Sequence, residues 1–309
     1  MHQLKNSSIL VVGGTGFIGY HLAKKSLIKG WQVTSISSNP PKKIRHLSKV
    51  KYIICDITKK NILKKNINKP FDYVVNLSGY VDHSNKKKTY KSHYLGCKNL
   101  TDIFLKKRPK AFVQIGSCIE YGNLKSPQKE NNNFNLKLTK TVYGKAKLLA
   151  SMHLLNLFKK NNFPSIILRL YLAYGPKQDT NRFLPIVINS CIKNEKFPCS
   201  KGNQLRDFTH VNDVVDAIIK SLANKDAQGQ IMNVGSGKPK KIKSIIEKIK
   251  KITKGGHPKY GKIKFRKDEI LKLYPSINKI NRILGWRPNT NFDQGLVKTI
   301  NYYKTIKQK

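Results

Sequence analysis

The chain has 309 residues, enough for one large α/β unit or two closely packed domains with a substantial core, so neither disulfides nor a structural metal are needed to hold it together. Its 61 basic residues against 16 acidic ones give a formal charge of +45, yet the lysines run along the whole chain among many Asn and Ile, which argues for solvated surface charge and against a specific nucleic-acid partner. The five cysteines, Cys55, Cys97, Cys118, Cys191 and Cys199, are scattered without CxxC or Cys/His spacing, which speaks against a zinc site and reads as reduced thiols of a cytoplasmic protein.

The polar start ahead of Ile9 is too short and wrongly flanked for a signal peptide, and no later apolar run is long enough for a bilayer, so membrane insertion is not expected. The β-branched run 9–12 ends in glycines and leads into 17–23, which has helical spacing: strand, glycine turn, helix. Further strands are predicted over 32–37, 52–55, 73–77, 111–115 and 165–170, with helices such as 96–106 and 143–159 between them. Strands alternating with helix-length crossovers imply an α/β fold with a doubly wound parallel sheet. The polar stretch 122–141 is too long for an ordinary connection and reads as an active-site flap. The final third has shorter apolar segments, Gly/Pro punctuation over 255–261 and a helical tail over 292–303, as expected of a smaller C-terminal substrate-binding domain. Asn233 follows one more short apolar run that returns to the sheet, so the expected domains are discontinuous: 1–172 with 204–236, and 173–203 with 237–309.

The run Gly13-Gly14-Thr15-Gly16-Phe17-Ile18-Gly19 satisfies GxGxxG after a strand and before a helix, the context of a Rossmann-type dinucleotide site. Glycines there permit a tight turn and let backbone N–H groups and a helix N-terminus approach a pyrophosphate. The end of the second strand carries no acid to accept from a ribose 2′-hydroxyl; it reads Ser37-Ser38-Asn39, followed by Lys42, Lys43 and Arg45. Hydroxyls and cations suit a 2′-phosphate, so NADP(H) is favoured, with NAD(H) as the alternative.

Tyr143 and Lys147 stand four residues apart, one helical turn, so the ammonium is expected to favour the phenolate and lower the phenol's pKa. Ser117 lies just past the strand 111–115, at the carboxyl end where parallel sheets bind ligands, and is expected to share a substrate oxygen with Tyr143. With Cys55-Asp56-Ile57, Asn76-Leu77-Ser78-Gly79, Leu168-Arg169-Leu170-Tyr171, Tyr174-Gly175-Pro176, Arg206-Asp207-Phe208, Asn233-Val234-Gly235 and Gly285-Trp286-Arg287-Pro288, these motifs resemble, over nearly the whole length, the NAD(P)-dependent nucleotide-sugar epimerase/dehydratase family of extended short-chain dehydrogenase/reductases.

That resemblance implies catalytic roles for Ser117, Tyr143 and Lys147, and cofactor contacts from Gly13, Gly16, Phe17, Ile18, Gly19, Ser37, Asp56, Ile57, Leu77, Tyr143 and Lys147. It implies a nucleotide-diphosphate sugar as substrate, held at Ser117 and by the Arg206 guanidinium on its diphosphate, and a homodimer formed through helices 96–106 and 143–159. Asp213 is read as a cap for the helix that begins at Val214, and His210 as packed rather than catalytic. The family's 4,6-dehydratases carry an Asp-Glu pair where this chain has Cys118 and Ile119, which disfavours dehydration. The chain departs from the family at Leu172 and His93, where the family usually has Asn, and the first departure concerns substrate contacts. The expected activity is 4-keto reduction of a nucleotide-4-keto-6-deoxysugar for surface polysaccharide, with 4-epimerisation as the alternative; a non-catalytic NADP sensor is disfavoured because a sensor needs no Tyr143 phenol.

Overall fold

The computed structural model describes residues 6–80, 82, 84–130, 134–265 and 269–307. Seven strands build the central sheet: β1 (Ser8–Val12), β2 (Gln32–Ser37), β3 (Val50–Ile54), β4 (Tyr73–Asn76), β5 (Ala111–Ser117), β6 (Ser165–Leu170) and β7 (Ile231–Val234). Their order is β7-β6-β5-β4-β1-β2-β3, and every neighbouring pair is parallel. The order reverses between β1 and β4, so the crossovers leave to opposite sides there and open a crevice at the carboxyl ends.

Side chains alternate across a strand, so Ile9 and Val11 face one core while Leu10 and Val12 face another. The first core is covered by helices α1 (Phe17–Ile28) and α7 (Val211–Ala223) through Leu22, Val214 and Ile218. The second is covered by α4 (Gly96–Phe104) and α5 (Val142–Asn161) through Leu100, Phe104, Ala150 and Leu154. Such two-sided burial is what the near-continuous apolar strands require. A third core joins α6 (Phe183–Ile192), α8 (Ile242–Thr253) and α10 (Phe292–Lys307) through Val187, Ile245, Ile249 and Ile300. The chain between α9 (Asn278–Leu284) and α10 returns to the first core, where Trp286 is fully buried.

One local expectation changes and two gain detail. The helix expected over 96–106 is present as α4, but it does not start from a loop: α3 (Lys86–Tyr90) and a π-helical turn over Lys91–Leu95 run straight into it. Gly96 is there because a Cβ would lie 2.4 Å from Ile57 Cδ1, so it permits close packing of helix on loop. Asp213 sits in the first turn of α7, but His210 is the residue that caps that helix, accepting from Asn212 N; Asp213 Oδ1 instead accepts from the backbone N–H groups of Asn289 (3.1 Å) and Thr290 (3.3 Å). The stretch read as a flap is tied to the C-terminal segment, since Gln128 N donates to Tyr274 O and Ser276 N donates to Gln128 O, each at 2.9 Å; its residues 131–133 lie outside the described residues.

Candidate active site

The glycine turn closes on the β1 end with Gly13 at φ +82°, a conformation that favours glycine. A Cβ there would also lie 3.0 Å from the backbone of Leu77, and one on Gly19 would lie 2.4 Å from Gly13 O, so helix and turn pack at backbone distance. Gly16 caps α1 without a side-chain hydrogen bond, and among the described residues a Cβ there would crowd only Gly13 O, at 3.2 Å. Without a competing side chain, the first-turn N–H groups and the positive end of α1 suit a pyrophosphate. The turn opens onto a cavity of about 870 Å³ lined by Gly13, Gly16, Phe17, Ile18, Gly19, Ser37, Ile57 and Leu77 at one end and by Ser117, Tyr143, Lys147 and Arg206 further along. A bound dinucleotide fits this cradle.

Ser117 is the last residue of β5, whose seven residues are all buried. Thr141 caps α5 by accepting from Gly144 N at 3.0 Å, which sets Tyr143 and Lys147 in the first two turns facing the strand end. Lys147 is buried and its Nζ donates to Ile115 O at 2.7 Å, two residues before Ser117. Burial holds its pKa down to about 8, against the upward pull of Glu120 and Cys97. Burial also pushes the Tyr143 phenol up to about 12, while its hydrogen bond with Ser117 and the Arg182 charge pull the other way. The net shift is thus opposite to the one expected from the Tyr143/Lys147 spacing: desolvation outweighs the Ser117 hydrogen bond and the Arg182 charge, and the phenol is protonated at neutral pH. His93 packs edge-on against the same ring, 4.9 Å between centroids, from the π-helical turn.

Of the other expected residues, Asp56 does not line the cavity; its exposed carboxylate accepts from Thr58 N at 2.9 Å, between the lining residues Cys55 and Ile57. Arg206 lines it, paired with Glu269 rather than with its neighbour Asp207. Asp207 is buried and turned to Ser236, whose N and Oγ donate to it at 2.7 and 2.9 Å.

Behind Ser117 lies a buried carboxylate. Glu120 accepts from Ser117 N (2.7 Å), Ser151 Oγ (2.7 Å) and Arg169 Nε (2.9 Å), joining the end of β5 to α5 and β6. Arg169 in turn stacks over the Tyr121 ring at 4.3 Å. One carboxylate therefore fixes the strand that carries Ser117 against the helix that carries Tyr143. Replacing Glu120 by Gln keeps the size but leaves the buried guanidinium without its counter-charge, so the variant is expected to lose about 3–5 kcal/mol of stability in denaturant unfolding. An unchanged midpoint would show that the pair contributes nothing.

Several lining residues carry no motif of their own and lie just beyond Tyr174-Gly175-Pro176. The next residues, Gln178, Asp179 and Arg182, reach back over the cavity. Asp179 Oδ1 pairs with Lys42 Nζ at 2.9 Å and Arg45 at 3.1 Å, and Arg45 Nε also donates to Lys177 O at 3.0 Å. Two of the three cations expected to meet a 2′-phosphate are thus occupied within the protein. Glu269, Ile270 and Leu273, also lining residues, lie in the C-terminal segment, where no local pattern marked them.

Residues 9–235 match the model of the NAD dependent epimerase/dehydratase family. A curated relative, UDP-N-acetyl-alpha-D-glucosaminuronate decarboxylase of Bacillus cytotoxicus, is 26% identical over 318 residues, covering 96% of this chain and 98% of its own. Among solved structures, UDP-glucose 4-epimerase from Thermotoga maritima with UDP-glucose superposes with a TM-score of 0.88 at 22% identity, covering 97% of this chain and 99% of that one. The dTDP-glucose 4,6-dehydratase of Bacillus anthracis in complex with NAD gives a TM-score of 0.86 at 21% identity, covering 98% of each chain. At these identities the two structures show a shared fold.

Proposed function

We propose that this chain, which belongs to the NAD dependent epimerase/dehydratase family, reduces the 4-keto group of a nucleotide-activated 4-keto-6-deoxysugar. The observation that carries the reading is an apolar wall in the cavity that Tyr143 and Arg206 also line. Cys118 lies within electrostatic reach of both Tyr143 and Arg206, and it packs with Ile119, Tyr171, Ile270 and Leu273 in one apolar cluster. Cys118, Ile119, Ile270 and Leu273, together with Leu172, line the cavity. A C6 methyl group is at home against such a wall, whereas a C6 hydroxyl left without a partner costs about 1–3 kcal/mol. Glu120, the carboxylate nearest Ser117 in sequence, is committed to Arg169 and Ser151, so it is not placed to carry protons for a dehydration.

The nicotinamide ring, when bound, supplies the hydride chemistry. The protein's part is to bind, orient and protonate. Arg206 takes the diphosphate, exchanging its pairing with Glu269 for a two-pronged contact with phosphate oxygens. Ser117 shares its hydroxyl between Tyr143 and the sugar's O4, fixing the carbonyl in line. Tyr143, protonated at neutral pH, gives its proton to O4 as the carbonyl becomes a hydroxyl. Lys147 is held by Ile115 O beside the strand end, where its ammonium can also steady the nicotinamide ribose.

Each turnover of a reductase consumes one reduced dinucleotide and one proton, whereas 4-epimerisation returns the dinucleotide unchanged. The purified protein is therefore to be given nucleotide-4-keto-6-deoxysugars with NADPH or NADH, and nucleotide-hexoses with no added reductant. Stoichiometric loss of the reduced cofactor with the keto sugars is expected. Interconversion of hexose isomers without reductant would replace the reading by a 4-epimerase.

A further inference from the structure

The end of β2 carries Ser37, Ser38 and Asn39, all lining the cavity, and no acidic side chain. A carboxylate nevertheless reaches this place from another part of the chain. Asp179 lines the same cavity and stands on the loop after Tyr174, with Oδ1 against Lys42 at 2.9 Å and Arg45 at 3.1 Å. The loop is fastened on both sides: His21 Nε2 lies 3.0 Å from Pro176 O, Lys177 Nζ donates to Tyr20 Oη at 2.9 Å, and Tyr303 Oη donates to Gln178 O at 2.5 Å. Arg45 is itself buried. The carboxylate is thus held in position by the protein.

We propose that Asp179 supplies the acidic group missing from the β2 end and selects NAD(H) against NADP(H). A ribose 2′-hydroxyl has a proton to donate and finds a fixed acceptor. A 2′-phosphate brings about −2 charge beside a carboxylate and finds Lys42 and Arg45 already paired. Turning those cations to the phosphate would strip Asp179 of its partners, one of them on a buried side chain, and uncompensated charge near the interior is costly. Burial raises the Asp179 pKa, but Lys42 and Arg45 outweigh it and hold the carboxyl below its ordinary range, so the negative charge persists at neutral pH. The three cations that suggested NADP(H) in the sequence therefore act as counter-ions for an acid that the sequence places 134 residues after Arg45.

The proposal rests on the dinucleotide site and is independent of which sugar is reduced. Its test is equilibrium binding of NAD+ and NADP+ to the full chain, followed by calorimetry at fixed ionic strength. The wild type is expected to bind NAD+ about tenfold or more tighter than NADP+. Asp179→Asn, close to isosteric, is expected to tighten NADP+ and weaken NAD+, moving the ratio by about tenfold or more towards NADP+. Lys42→Ala removes an exposed cation, and it should shift the ratio further towards NAD+. A wild type that prefers NADP+, or an Asp179→Asn protein with an unaltered ratio, overturns the proposal. Folded protein that binds neither nucleotide removes it together with the dinucleotide site itself, whereas normal discrimination without sugar reduction leaves only the C4 reading at fault.

Discussion

Replacing Tyr143 by Phe is expected to reduce turnover roughly a thousandfold or more while leaving the affinity for the dinucleotide nearly unchanged. The phenol hydroxyl is the one group the substitution removes, and its hydrogen bond runs to Ser117, the residue proposed to share the sugar's oxygen with it. The ring stays, and with it the edge-on contact to His93 at 4.9 Å. Stability should therefore change little. The pKa of about 12 makes Tyr143 a proton donor at neutral pH, so the loss should appear in the chemical step and not in KM. Single-turnover rates and dinucleotide binding, measured on the same preparation, separate the two. Full activity in the Phe protein would remove Tyr143 as the proton carrier, and a loss of dinucleotide affinity equal to the loss of rate would make it a binding residue instead.

The parts of this site that are legible in the sequence are those written in short-range pattern. A β-branched run, a glycine turn and helical spacing lie within residues 9–23, and the structure forms β1, the turn and α1 there. Tyr143 and Lys147 are one turn apart on any helix, and Ser117 closes a strand whose period and burial are evident. What the sequence does not display is which distant group each polar side chain meets. Arg45 reads as a cation free to meet a 2′-phosphate after β2, yet it is buried, because Lys177 O and Asp179 come to it across more than a hundred residues. Arg206 reads as a free guanidinium for a diphosphate, yet it is paired with Glu269, which stands 63 residues further along the chain. The same holds for the shift of Tyr143: spacing gives the nearby cation, while burial, which decides the sign, depends on everything packed around the ring.

Lys147→Met is expected to make the protein more stable at pH 7 and to lower turnover by about a hundredfold or more. The two effects share one cause. An ammonium buried beneath the strand end has a folded pKa of about 8 against an ordinary 10.5, which means the folded state disfavours the charged form that neutral water supplies. A difference of that size corresponds to ~3 kcal/mol as an upper limit at pH 7. Between pH 8 and 10.5 the unfolded chain holds more protons at this residue than the folded one, so its contribution to stability rises with pH through that window and is least favourable below it. Methionine carries no charge to desolvate and fills much of the same volume, and Ile115 O keeps a second donor in Gln114 Nε2 at 3.1 Å. The variant should therefore melt above the wild type at pH 7, and the gap should close towards pH 10. The other titrating groups are common to both proteins and cancel in the comparison. A variant that melts below the wild type at pH 7, or a gap that is the same at both pH values, would show that the ammonium is not held at a cost.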